Sequence, residues 1–198
     1  MHVLLGPLIL FAAVMSLTPG PNVIMVTASA ANFGFRRTIP QMIGITLGFG
    51  ILVIAAGLGL ASLFHAEPQL QTAVKYGGGA YLLYLAWCIL RAKGGVGTGA
   101  APPIGFLRAL LLQPLNPKGW VFAFGAIAAY ATANGDALWE TLVIAGVNAT
   151  ACLCSVLIWA GFGTGIGRFL GRPWARTVFN AVMAGLLVLS LVPVFWAG

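Results

Sequence analysis

Two short stretches decide how this chain is read: Thr18-Pro19-Gly20-Pro21-Asn22 and Gln113-Pro114-Leu115-Asn116-Pro117-Lys118. Each places two prolines inside an otherwise continuous apolar run. Proline has no backbone donor and its ring clashes with the preceding turn, so it breaks a helix. Pro19 and Pro21 release the carbonyls of Met15 and Leu17; Pro114 and Pro117 release those of Leu110 and Gln113. In water such a break is cheap. Here the surrounding sequence offers no water.

The chain has 198 residues, 60% of them hydrophobic and 7% charged, with a mean hydropathy of +0.99. Soluble domains carry about 25% charged residues, so this chain has no polar face to turn to water. About 20 apolar residues cross the hydrocarbon layer. Hydropathy gives six such spans, at 4–32, 39–64, 69–90, 105–133, 138–166 and 177–196. The expected fold is an all-α integral membrane protein, one transmembrane domain over 1–198. It divides into a three-helix half (1–93), a Gly/Pro-rich linker (94–104) and a second three-helix half (105–198). The first apolar run lacks a basic start and continues past any plausible cleavage point, so it reads as a retained helix rather than a signal peptide.

The loops sort by charge. Arg36 and Arg37, then Arg91, Lys93 and Arg108, then Arg168, Arg172 and Arg176 fall in the first, third and fifth loops. Glu67, Asp136 and Glu140 fall in the second and fourth. Basic residues in short loops mark the cytoplasmic side. Loops 1–2, 3–4 and 5–6 are therefore expected in the cytoplasm and both termini outside. The net charge of +7 comes from this punctuation and forms no basic-aromatic patch, which excludes a nucleic-acid partner. The glycines of 94–103 follow no strand, so they do not form a dinucleotide-binding loop. Asn148-Ala-Thr150 falls inside a span and is a chance match to a glycosylation site. No cofactor motif and no metal-ligand cluster is read.

The two proline joints occupy the first and fourth spans, corresponding members of the two halves. Three spans per half invert one half relative to the other, giving a 3+3 inverted repeat. Interrupted helices at matching places in inverted repeats point to a transporter's substrate site. Half-helix N-termini offer free N–H groups and a positive dipole end to a carboxylate. Freed carbonyls suit an ammonium. A zwitterionic amino acid matches both. The candidate substrate-binding residues are Pro19, Gly20, Pro21, Asn22, Asn116, Pro117 and Lys118. A lysine at the bilayer centre costs about 2.5–3.5 kcal/mol, which calls for a pore or a cargo at Lys118; snorkelling is strained at that depth. Asn22 and Asn116 are expected to bond freed backbone, cargo or both.

Lys75, Tyr81 and Asn148 are secondary candidates. Lys75 lies close enough to a span end to snorkel. Interhelical packing explains Tyr81 and Tyr84, and helix-to-helix hydrogen bonding explains Asn148 and Asn180. Gly44-x-x-x-Gly48, Gly77 to Gly79 and Gly161, Gly163, Gly165 and Gly167 let helices approach closely. Packing within the chain is the expected use, with a homodimer contact as the other. Cys88, Cys152 and Cys154 form no C-x-x-C. The last two sit about 200° apart around a helix, so all three read as small buried apolar side chains.

Pro19-Gly20-Pro21-Asn22, Gly34-Phe35-Arg36-Arg37 and Gly44-Ile45-Thr46-Leu47-Gly48 together resemble the opening of the LysE/RhtB family of amino-acid exporters. Lys75 with Gly79-Ala80-Tyr81-Leu82-Leu83-Tyr84-Leu85 resembles its third-helix motif, and Leu115-Asn116-Pro117-Lys118 its fourth-helix motif. Leu85-Ala86-Trp87 and the short length are similar to the cysteine and O-acetylserine exporter branch. The resemblance implies export of small amino acids or their derivatives across the cytoplasmic membrane, by exchange with protons. Glu140 stands only at the edge of the fifth span and no carboxylate lies deep within one, which leaves Lys118 as the one deep proton carrier, or coupling to the membrane potential instead. The same absence disfavours strongly cationic cargo. Two rivals stand beside a carrier: a small-solute channel using the joints as a filter, and a membrane thiol–disulfide electron shuttle.

Overall fold

The computed structural model describes residues 4–60, 68–92, 104–132 and 136–192. His65, Glu67, Lys93 and the linker at 94–103 lie outside the described residues. Among those described there are helices and no strand. The order is α1 (Leu5–Leu17), α2 (Pro21–Phe33), α3 (Phe35–Ala55) running into a π-turn (Ala56–Leu60), α4 (Pro68–Leu90), α5 (Phe106–Leu111), a 3₁₀ turn (Gln113–Leu115), α6 (Pro117–Tyr130), α7 (Ala137–Phe169) and α8 (Pro173–Leu189).

The element ends follow local chemistry. Pro21, Pro117 and Pro173 each start a helix, where their missing N–H has no partner to lose. Gly34 takes φ 87 between α2 and α3, a left-handed value that favours glycine. Asp136 caps α7, its Oδ1 accepting from Leu138 N at 3.1 Å and Trp139 N at 3.0 Å. Glu140, in the first turn of α7, accepts from Thr132 N and Thr132 Oγ1 at 2.7 and 2.6 Å. Both acidic residues therefore hold the start of α7 as well as marking a loop.

The hydropathy boundaries are corrected at three places. α3 begins at 35 rather than 39, since Gly34 sets the turn. α7 runs past 166 to Phe169, and α8 begins at Pro173 rather than 177. Hydropathy finds the apolar core of a span, whereas Gly, Pro and capping side chains fix its ends. Arg36, Arg37, Arg168 and Arg176 thus sit on helix ends rather than in loops. Arg176 Nη2 donates to Leu170 O at 3.1 Å and so serves the C-terminal end of α7. Arg91 lies 4.1 Å over the Trp87 ring at the end of α4.

Among the described residues, three helices are long and apolar enough to cross a membrane: Phe35–Gly59, Thr72–Leu90 and Ala137–Phe169. α1 and α2 form a fourth crossing if they count as one span bent by 54°. With its exposed Leu10, Val14, Ile158 and Phe162, this is the outer face of a multi-pass membrane protein. α7 is central, packing on α1, α2 and α3; α3 also packs on α5, and α4 pairs with α8.

Two seams bring backbones together. A Cβ on Gly163 or Gly167 of α7 would collide with the Thr27 or Ala31 backbone of α2. One on Gly44 or Gly48 of α3 would collide with Phe106 or Leu110 of α5. These four glycines are used within the chain, whereas Gly77, Gly161 and Gly165 face open space. Gly163→Ala should therefore lower stability by about 1–3 kcal/mol, while Gly161→Ala should stay within about 0.5 kcal/mol. Thermal unfolding of both variants in detergent reads the difference.

Candidate functional site

α1 stops at Leu17 because Pro19 and Pro21 cannot donate to it. Its last carbonyls are then completed from elsewhere. Val14 O accepts from Thr18 N at 3.1 Å and Thr18 Oγ1 at 2.6 Å. Ser16 O accepts from Ser155 Oγ at 2.7 Å, and Leu17 O from Trp159 Nε1 at 3.3 Å, both on α7. Thr18 O and Pro19 O accept from Lys118 Nζ, at 2.7 and 3.4 Å. The Leu17 carbonyl expected to be free is thus free of its own helix and served by another. Every donor to carbonyls 16 through 19 comes from the second half of the chain.

The second joint is repaired more locally. Gln113 O, released by Pro117, accepts from Asn116 N at 3.0 Å within the 3₁₀ turn. Pro114 O accepts from Trp120 Nε1 at 2.8 Å. The side chain of Gln113, fully buried, reaches the first joint: Asn22 Nδ2 donates to Gln113 Oε1 at 2.9 Å, and Gln113 Nε2 to Asn22 Oδ1 at 3.2 Å. Asn22 therefore bonds a side-chain amide rather than freed backbone. Asn116 starts α6 without a side-chain cap, and its buried Oδ1 has no hydrogen-bond partner.

Lys118 reaches the carbonyls only because Gly20 lies beneath its stem. A Cβ on Gly20 would sit 2.7 Å from Lys118 Cδ and 3.0 Å from Nζ. This close approach accounts for the glycine at a position whose extended backbone, φ −171, any residue could adopt.

The joints face a cavity of about 40 Å³. Ser16, Thr18, Asn22, Asn116, Lys118 and Ser155 supply its polar lining; Met15, Phe49, Phe122, Cys152 and Val156 supply the apolar wall. No carboxylate is among the lining residues. The volume suits about three or four waters at roughly 10–15 Å³ each, far below the roughly 300 Å³ at which ligand pockets begin.

Of the sequence candidates, Gly20, Pro21, Asn22, Asn116 and Lys118 line this cavity. Pro19 and Pro117 stand just behind it and shape the two joints. Lys75, Tyr81 and Asn148 do not line it. Tyr81 packs 5.8 Å from Tyr84 on α4, and Asn148 Nδ2 bonds Ile144 O on its own helix at 2.7 Å. Asn180 ties helices together, accepting from Asn32 Nδ2 at 2.8 Å and donating to Ala92 O at 2.9 Å.

Sequence reasoning missed the Gln113 side chain, Ser155, Trp159 and Cys152. A signal was present. Asn148, Cys152, Ser155 and Trp159 fall at i, i+4, i+7 and i+11, one helical face. The amide pair predicts a measurable coupling. Asn22→Ala and Gln113→Ala should each cost about 1–3 kcal/mol by orphaning a partner. The double variant should cost clearly less than their sum, as read by thermal unfolding in detergent.

Comparison with known proteins adds the family. The model of the LysE type translocator matches residues 13–193. The chain is 29% identical over 195 residues to a cysteine/O-acetylserine efflux protein of Shigella flexneri serotype 5b, covering 98% of each. It is 29% identical over 187 residues to the protein of that name in Escherichia coli K12, covering 94% of each. It is 28% identical over 158 residues to the one in Klebsiella pneumoniae, covering 78% of this chain and 81% of that one. No solved structure matches. With its two broken helices, its half-buried lysine and a family match over residues 13–193, this chain belongs to the LysE type translocator family, a transporter and not an enzyme.

Proposed function

We propose that this chain exports small neutral amino acids or their derivatives across the cytoplasmic membrane by alternating access. Cargo of the cysteine/O-acetylserine or threonine/homoserine kind fits this reading. One observation carries it: helix ends of opposite polarity meet in one cavity. The N-termini of α2 and α6, with the Lys118 ammonium, favour a carboxylate. The end of α1 presents the Thr18 and Pro19 carbonyls, which favour an ammonium. A zwitterion is held at both ends. With no carboxylate in the lining, a second positive charge on the cargo has no partner, so basic amino acids are poor cargo.

The six-span, 3+3 inverted-repeat arrangement belongs to the proposal. The packing supports it, since α3 pairs with α7 and α4 with α8, the corresponding members of the two halves. Basic residues on the helix ends at 36–37, 91, 108 and 168–176 support a cytoplasmic side there, with both termini outside. The relatives' names as cysteine/O-acetylserine efflux proteins favour that cargo. The three cysteines are free, Cys152 buried and Cys88 and Cys154 exposed, which gives an electron shuttle no dithiol to use.

Counterflow of labelled substrate in proteoliposomes tests the reading, because only a carrier shows it. Saturable counterflow is expected for one or a few neutral amino acids, including cysteine or O-acetylserine, and not for lysine or glutamate. Lys118→Glu, which sets a carboxylate where the cargo's own must bind, should abolish it in protein that stays monodisperse. Flux without counterflow for every amino acid would make the chain a channel.

A further inference from the structure

Among the described residues, Lys118 is a cation with no anionic partner in the site. Its ammonium has three donors and directs two contacts at Thr18 O and Pro19 O, 2.7 and 3.4 Å away. These carbonyls stand at the C-terminal end of α1, the negative end of its dipole. Carbonyls at broken helix ends are where transporters of this general build hold cations. The seat that suits the cargo's ammonium is therefore already taken.

We infer that Lys118 is a tethered stand-in for the cargo's ammonium, occupying the Thr18–Pro19 carbonyls when the site is empty and leaving them for the cargo's carboxylate when the site fills. This rests on the export reading above and names the device by which the site selects a zwitterion. A cargo carboxylate draws the Lys118 ammonium off the carbonyls, and the cargo's ammonium takes the vacated place. The site carries one positive charge before and after, so no uncompensated buried charge appears. An amine without a carboxylate cannot draw Lys118 away. An acid without an amine would draw it away and leave the two carbonyls at the end of α1 without the donor they hold in the empty site. One residue thus rejects both halves of the molecule it accepts.

Two further observations fit. The stem of Lys118 lies over Gly20 with no room for a Cβ, so it can slide along the joint without displacing a side chain there. Asn116 Oδ1 lies on the cavity, 4% exposed as a residue and without a partner. It is a free acceptor beside the path of an incoming ammonium.

The test compares each amino acid with its decarboxylated form: serine with ethanolamine, cysteine with cysteamine. Thermal stabilisation of the detergent-solubilised full chain by these ligands is measured in the wild type, Lys118→Met and Lys118→Ala. Lys118→Met keeps an unbranched stem over Gly20. In the wild type, amines should need at least about tenfold higher concentration than the amino acids. In either variant the seat is vacant, and amine binding should strengthen about tenfold, as expected when a competitor holding nine-tenths of the site is removed. The preference for amino acid over amine should collapse at the same time. Amines that bind the wild type as tightly as amino acids would overturn the inference, whether or not the variants fold. So would folded variants that gain no amine binding. Failure of the export reading shows separately, as wild-type protein that gives no counterflow with any amino acid.

Discussion

A lipid interior donates and accepts no hydrogen bonds, so a helix interrupted there must be completed by the rest of the protein. The structure is organised by that constraint. Carbonyls 16 to 19 at the end of α1 take their donors from Ser155, Trp159 and Lys118, residues more than ninety positions away in sequence. Asn22 and Gln113 join the two breaks through their amides. The second joint is completed largely by its own neighbours, whereas the first is completed from α7 and from Lys118 of the second. Bringing the breaks together is therefore a condition of folding before it is a property of a binding site.

The same constraint separates what is fixed from what can change. The seams at Gly163 and Gly167 on α2, and at Gly44 and Gly48 on α5, are backbone-to-backbone and leave no slack. A well-packed contact of this kind has one arrangement. The bonds around the cavity are instead made by ammonium, hydroxyl, amide and indole groups at the tips of side chains. A polar cargo can replace them one for one. α4 and α8 share their own apolar cluster around Leu82, Leu85, Ala184 and Leu187, with Ile24 and Met25 of α2. They are tied to it by Asn32, Asn180 and the Ala92 carbonyl. On the carrier reading proposed above, the boundary that moves is the cavity, with seams on either side keeping the moving parts intact.

Much of this was legible in the sequence, and the reasons differ by feature. Prolines 19, 21, 114 and 117 announce the breaks because the loss of a donor is a property of the residue itself. Apolar runs announce the spans because burial in lipid demands length. Helix ends were misplaced by several residues at α3, α7 and α8, where Gly34 and Pro173 act locally and hydropathy averages over them. Side-chain partners across the site were not legible. Gln113 reads as part of a broken turn until α2 is seen beside it, and Asn22 reads as a partner of freed backbone or cargo until Gln113 is. Ser155 and Trp159 lie on the fifth apolar run, where one hydroxyl and one indole resemble ordinary packing residues. Only the shared face with Asn148 and Cys152 hints otherwise. Asn148, Lys75 and Tyr81 drew attention by type alone, and type does not say which cavity a helix face will meet.

What remains unpaired in the site bears on its cargo. Two cavity-lining residues carry buried polar atoms without partners, Ser16 Oγ and Asn116 Oδ1. Such atoms are rare in folded proteins and cost about 1–3 kcal/mol each when orphaned. Asn116 Oδ1 can only accept, and a serine hydroxyl can accept as readily as donate. With the Thr18 and Pro19 carbonyls they are the acceptors of the site. Lys118 and the N-termini of α2 and α6 are its donors. A ligand that completes this set needs a donor-rich cation at one end and an acceptor-rich anion at the other, separated by no more than the width of a very small cavity. An α-amino acid meets that description with its ammonium and carboxylate on one carbon, leaving its side chain to the wall of Phe49, Phe122 and Cys152. On the export reading proposed above, that apolar wall would leave discrimination among amino acids to side-chain size, while the two broken helices would read the common headgroup.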